Sequence, residues 1–189
     1  ITGGLGAVAG IEGFGPAYEL PNFKTYDETC AAVGNVMFNY RMYLMSGDAK
    51  YVDVAEVSLY NNIIAGVNLK GDRFFYVNPL TVDTSVSGVV PGYEHVLPQR
   101  PAWHACACCP PNLARLIASL GKYLWSEDDD TVYSHLFIGS EAETRHGRIS
   151  MESCYPWEGK AVYTIHGGGD FSLAIHVPHH AKTLHISIK

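Results

Sequence analysis

No apolar run in this 189-residue chain approaches the ~20 residues that a membrane-spanning helix needs. Positive charge is scarce as well: 13 Lys and Arg stand against 19 Asp and Glu, a formal net charge of -6. A nucleic-acid-binding surface wants a basic stripe, and this balance does not supply one. Neither a membrane nor a nucleic acid is therefore an expected partner. No basic-then-apolar leader opens the chain. The first residue, however, is Ile1, "ITGGLGAVAG" reads as the middle of a loop, and "TLHISIK" at the other end reads as a strand without a partner. The chain is expected to be an internal piece of a longer polypeptide, so the missing leader is silent on location. Also lacking is the even, spread cysteine pattern of a secreted disulfide scaffold. There are five cysteines, and Cys106, Cys108 and Cys109 crowd into four positions. Adjacent cysteines bridge each other poorly, so metal binding or thiol chemistry fits better.

What is present supports a packed protein. Apolar residues make up 47% and charged residues 17% of the sequence, a composition that argues against wholesale disorder. Residues 1–24 are rich in Gly and Pro and read as a long loop. From Thr25 onward, "TYDETCAAVGNVMFNYRMYLMSGD" reads as a helix with Asp and Glu in its first turn and a stop at Ser46-Gly47. Ala32, Val36, Met37, Tyr40 and Leu44 form its expected buried stripe. Asp48 can cap a second helix over 49–65, with Val52, Ala55, Leu59 and Ile63 facing inward, so the short turn makes a helix pair. "GDRFFYVNPL" is strand-like and 81–103 is a second loop. A third helix starts near Pro110 or Pro111, since proline suits a first helical turn, with Leu113, Leu116, Ile117, Leu120 and Leu124 as its apolar face. After "SEDDD" the pattern turns to short alternating runs: "TVYSHLFIG", "GRISMESCY", "KAVYTIHG", "FSLAIHVP" and "TLHISIK". Such spacing suggests a sandwich.

Two segments concentrate chemistry at predicted helix starts. Glu28-Thr29-Cys30 stands at the first helix and Cys108-Cys109 just before the third. Together they offer one carboxylate and three thiols, a donor set suited to zinc over magnesium or calcium. Helix N-termini favour negative charge and lower thiol pKa values, and a metal would complete the deprotonation. The spacing is not that of a zinc finger. Cys30 alone also reads as a small buried hydrophobe, and Glu28 as an acid beside the helix dipole. His104 and Cys106 are rival ligands. In the opening loop, Glu12 and Glu19 are each either a general acid/base or a solvated charge.

In sequence order, "ITGGLG", "EGFGPAYELPN", "YDETCA", "RFFYVNPL" and "CACCPPNLARLIASLGKYLWS", followed by "VYSHLFIGS" and "YPWEGK", resemble glycoside hydrolase family 127, whose best-known members are non-reducing-end β-L-arabinofuranosidases. The resemblance spans essentially the whole chain. It implies a fold that is mainly α plus β: the C-terminal part of an (α/α)6 barrel over 1–126, followed by the start of a β-sandwich over 127–189. It also implies hydrolysis with retention through a zinc-bound cysteine. Carried over residue by residue, Cys108 matches the nucleophile and Glu12 the acid/base. Glu28, Cys30, Cys108 and Cys109 match the Zn2+ ligands, and Cys106 matches a cysteine that is not a ligand. The substrate class that the resemblance implies is arabinofuranosides, and the full-length protein is expected in the bacterial cytoplasm rather than secreted, as a homodimer. With three of twelve barrel helices, this piece alone is expected to be inactive. No role is assigned to Cys154.

Three other readings compete. The four ligands could close a structural zinc site, because a structural site also takes four protein donors; a Glu12 carboxylate facing Cys108 would favour catalysis over it. Cys106 and Cys109 have C-x-x-C spacing, but the βαβ context of a redox module is missing. A sibling glycosidase for another unusual sugar is the third.

Overall fold

A computed structural model describes residues 2–19, 21–79 and 81–188. The chain separates into two compact units, residues 1–117 and 118–189. The first carries α1 (Thr29–Ser46), α2 (Lys50–Ser58) and α3 (Cys109–Ala118), and the second carries six short strands.

Helix α1 stops where the sequence says it should, at Gly47, whose left-handed backbone (φ 68°) returns its N–H to the Tyr43 carbonyl. This is the usual glycine stop. Its start differs from expectation. The helix begins at Thr29, so Asp27 and Glu28 precede it rather than sitting in its first turn. Asp27 takes φ 35° and Glu28 is extended, bridged antiparallel to Val77. The adjoining segment completes the clamp: Thr29 N–H donates to the Tyr76 carbonyl at 3.0 Å and Thr29 Oγ1 to the Phe75 carbonyl at 2.9 Å. A long-range tie thus replaces the local first turn that acidic composition suggests. The buried face also shifts: Ala32 and Val36 are buried as expected, joined by Val33, Asn39 and Tyr43, whereas Leu44 is exposed.

Asp48 Oδ1 accepts from the Lys50 N–H at 3.0 Å, which fixes the entry to α2. The expected inward residues Val52, Ala55, Leu59 and Ile63 are all buried. Full burial of an aliphatic side chain contributes roughly 1.5–3 kcal/mol, and Leu59 and Ile63 have no exposed surface. The expected single helix over 49–65 changes pitch at Leu59, where Leu59–Ile63 forms a π turn with Ile64 N–H reaching the Leu59 carbonyl at 2.9 Å. Such turns are single insertions within helices. Asn35 Nδ2 donates to Ser58 Oγ at 2.8 Å, pinning α1 to α2. Over its described residues, 71–79, the "GDRFFYVNPL" segment forms only single bridges, Val67 to Phe74 and Glu28 to Val77, rather than a strand; Leu80 lies outside the described residues.

Helix α3 begins at Cys109 with both prolines in its first turn, where a missing N–H leaves nothing unpaired. It ends at Ala118, and Leu120–Tyr123 follow as a 3-10 turn. Of the expected apolar face, Leu116 and Leu124 are buried and Ile117 is exposed. The last two leucines of that face thus lie beyond the α-helix.

In the second unit, β1 (Trp125–Glu127) pairs antiparallel with β2 (Thr131–Ser134), which pairs parallel with β6 (Ser172–Ile175). A second sheet places β4 (Gly147–Ser153) between β3 (Ser140–Thr144) and β5 (Ala161–His166), all antiparallel. Strand β4 alternates as a half-buried strand should, with Ile149 and Met151 inward. Strands β1 and β3 are not anticipated by the sequence reading. "TLHISIK" forms no strand over its described residues, 183–188, despite its alternation.

Candidate metal centre and active site

The site grows from three pieces of the first unit. The opening loop folds into a tight turn: Ala7 and Val8 N–H groups donate to the Gly13 carbonyl at 2.9 and 3.0 Å, and Gly13 N–H returns to Val8 at 3.2 Å. The Gly6 carbonyl accepts from Tyr26 N–H, Asp27 N–H and Thr25 Oγ1, at 3.0–3.1 Å. Gly6 itself needs φ 100°, which glycine alone adopts without strain. The turn is thereby fastened to the chain just ahead of α1. Glu12 sits at its tip in a left-handed conformation (φ 49°) and is exposed.

The second piece is the start of α1 with Glu28 and Cys30, and the third is the start of α3 with Cys108 and Cys109. The ligand-capable atoms of Glu28, Cys30, Cys108 and Cys109 all lie within 4.8 Å of one another. Glu28 and Cys109 are buried, while Cys30 and Cys108 are half-buried. Cys108 Sγ lies 3.8 Å from Cys109 Sγ, and the two thiols donate to Glu28 Oε1 at 3.6 and 3.7 Å. Zinc at ~2.3 Å from sulfur and 2.0–2.2 Å from oxygen, in a tetrahedron, implies edges of about 3.8 Å between sulfurs and about 3.6 Å from sulfur to oxygen. The donor set suits zinc, and the three distances among Glu28, Cys108 and Cys109 match those edges. The rival ligands do not join this group. Cys106 is exposed, and His104 packs on the Phe74 and Tyr76 rings at 4.8 and 5.6 Å.

Electrostatics here run against the helix-dipole expectation. Burial pushes the Cys108 thiol up to about 11, and burial raises Cys109 far above the ordinary thiol range. Desolvation of a thiolate outweighs the favourable helix N-terminus. Protonated thiols answer this by donating to Glu28; a bound cation answers it by compensating the thiolate charge.

Cys108 opens onto a cleft of about 400 Å³ that Cys30, Pro111, Asn112 and Arg115 also line. Cys109 borders a different, mainly apolar cavity of about 290 Å³ with Phe74, Phe75 and Leu113. The two adjacent sulfurs are thus unequal, one accessible and one enclosed. Glu12 stands outside that cleft but is tied toward it. Tyr26 Oη donates to Glu12 Oε1 at 3.1 Å. The Tyr26 and Tyr76 rings are tilted neighbours 6.3 Å apart with interacting hydroxyls, and Tyr76 Oη lies 3.2 Å from Cys108 Sγ. Burial is the main cause that raises both phenols. Sequence reasoning missed these two tyrosines, because an aromatic beside apolar neighbours carries the same signal as a core residue. Glu19 also lies on the opening loop and is exposed.

Comparison with known proteins sets this geometry in context. Residues 1–122 match the family model described as "Beta-L-arabinofuranosidase, GH127 catalytic domain". The chain is 42% identical over 169 residues to a non-reducing end β-L-arabinofuranosidase of Bifidobacterium longum subsp. longum, covering 87% of this chain and 25% of that protein. Among solved structures, a GH127 β-L-arabinofuranosidase from Geobacillus stearothermophilus T6 is 42% identical with a TM-score of 0.88, covering 95% of this chain and 29% of that one. Another GH127 β-arabinofuranosidase is 42% identical with a TM-score of 0.81, covering 94% and 27%. The chain therefore spans about a quarter of the length of these relatives.

Proposed function

The chain belongs to the GH127 β-L-arabinofuranosidase catalytic-domain family, and from that premise we propose that the polypeptide carrying it is a retaining glycosidase that removes terminal β-L-arabinofuranosyl residues. The proposed architecture is the C-terminal part of an (α/α)6 barrel over 1–126 followed by the start of a β-sandwich over 127–189. Three helices in the first unit and two three-stranded sheets in the second support it.

The observation that carries the functional reading is the convergence of Glu28, Cys30, Cys108 and Cys109, from distant parts of the sequence, into one group. These four residues would hold Zn2+, which would keep the sulfurs deprotonated at neutral pH. Cys108 is the proposed nucleophile because it is the sulfur that borders the open cleft. Cys109, enclosed at 1% exposure, serves as a ligand only.

A retaining glycosidase needs a nucleophile and an acid/base on either side of the anomeric carbon. Cys108 sulfur attacks that carbon while its bond to the leaving oxygen breaks, and Glu12 gives its proton to that oxygen. In the second step Glu12 takes a proton from water, the water oxygen bonds to the anomeric carbon, and the Cys108 sulfur leaves as thiolate. Trapping with an arabinofuranose-configured electrophile followed by peptide mapping tests the assignment. Label on Cys108 is expected; label on Cys106 or Cys109 with Cys108 clean overturns it.

A second reading, a closed structural zinc site, draws on the four protein donors and on the exposure of Glu12. It predicts that Glu12→Gln leaves any activity of the polypeptide unchanged.

A further inference from the structure

Tyr26 is 6% exposed, yet its hydroxyl bonds to a side chain on an exposed turn. It packs with Val77 and Val96, with Ala9 and Tyr76 against the same cluster, and its ring lies 6.3 Å from His95. That imidazole is itself anchored, with Nε2 at 3.2 Å from the Lys24 carbonyl. The phenol ring therefore has little freedom. A buried phenol O–H needs an acceptor, and the acceptor here is the Glu12 carboxylate rather than a nearby backbone carbonyl. Glu12 has the opposite character: it rides on the tip of a turn, where a side chain without a partner would sample several rotamers. One bond from a fixed, buried donor removes that freedom. The same phenol faces Tyr76, whose hydroxyl reaches Cys108.

We infer that Tyr26 is a positioning residue, whose hydroxyl holds the Glu12 carboxyl group at a set distance and direction from the Cys108 sulfur. The inference rests on the reading of Glu12 as acid/base and Cys108 as nucleophile. A carboxyl displaced from the leaving oxygen transfers its proton poorly, and positioning of this kind accounts for a large share of a rate. The consequence depends on the leaving group. An alkoxide departs only with the proton that Glu12 supplies, whereas a dinitrophenolate departs without it.

The test is Tyr26→Phe in the full polypeptide that carries this chain, assayed on methyl and on 2,4-dinitrophenyl β-L-arabinofuranoside. On the methyl glycoside kcat is expected to fall about tenfold or more with KM within about twofold. On the dinitrophenyl glycoside the loss in kcat/KM, which reports the first step alone, is expected to be under about threefold, with metal content equal to wild type. The double variant Y26F/E12Q is expected to be no slower than E12Q alone, because the two residues act as one unit. Equal losses of kcat/KM on both glycosides, loss of metal together with activity, or additive losses in the double variant would assign Tyr26 to fold maintenance and overturn the inference. If wild type cleaves both substrates and Y26F matches it on each, the inference alone fails. If wild type cleaves neither, the proposed activity fails and takes the inference with it.

Discussion

The sulfur side of the site is buried or half-buried and built on helix starts, whereas its carboxylate side, Glu12, rides on an exposed turn, its side chain held by one buried phenol. On the proposed function, the difference follows from what each side must do. Thiols that share a cation need fixed mutual distances and little water, and two helix starts, that of α1 clamped by the Phe75–Val77 segment, provide both. A general acid must reach a leaving group and later a water molecule, which requires access. Rigidity is therefore supplied by burial on one side and by a single hydrogen bond on the other.

The strongest way to break this comparison is to remove a sulfur. Cys108→Ala and Cys109→Ala should each lower activity of the full polypeptide by roughly 10³-fold or more, as loss of a nucleophile or its support does. Cys109→Ala should also weaken zinc binding, measured as zinc lost in competition with a chelator, since one of four protein donors is removed. Zinc held as tightly by Cys109→Ala as by wild type would remove that residue from the ligand set.

Glu12→Gln is expected to have the next largest effect, a fall of about 10²- to 10⁴-fold with metal content unchanged. That split, activity lost and metal kept, is what separates the two sides. Metal lost along with activity would mean that the turn belongs to the same structural unit as the sulfurs.

These expectations rest unequally on the sequence. The three helices were legible because apolar residues recur at helical spacing and because Gly47, Asp48 and the Pro110-Pro111 pair mark their ends. The start of α1 was not: Asp27 and Glu28 look like first-turn acids, and nothing local reveals the bridge from Glu28 to Val77. Strand reading was weaker for a related reason. Alternation in "TLHISIK" satisfies one strand's pattern, but a strand exists only with a neighbour to bond, and residues 183–188 have none among the described residues. Strand β3, by contrast, gains its order from five paired positions on β4. The grouping of residues 28, 30, 108 and 109 was readable from donor chemistry at two helix starts. The inequality between the adjacent sulfurs came only through the family resemblance, because in physical terms it depends on which sulfur borders the cleft. The Tyr26 and Tyr76 bridge was invisible, since its meaning lies in where two hydroxyls point.

A milder perturbation probes how the exposed side is fastened. Gly3 has φ 70°, and a Cβ there would press into the backbone of Val57 and Ser58. Gly3→Ala is therefore expected to cost roughly 1–3 kcal/mol, read as a lowered midpoint in chemical denaturation. Because this segment leads into the turn carrying Glu12, activity is expected to fall further than zinc content. Equal falls would show that the two sides are mechanically coupled.

The smallest effect concerns the cysteines themselves. Cys106 and Cys154 are exposed, Cys30 and Cys108 half-buried and Cys109 buried. An alkylating reagent is expected to modify Cys106 and Cys154 in the metal-loaded polypeptide and to spare the three cluster sulfurs, whose lone pairs a cation engages. After chelation Cys108 should join the reactive set first, since it borders the cleft, while Cys109 remains slow behind Phe74, Phe75 and Leu113. Peptide mapping before and after chelation reads the order directly. Should Cys109 react as fast as Cys108, the enclosure that distinguishes them would not persist in solution, and the basis for choosing the attacking sulfur by accessibility would go with it.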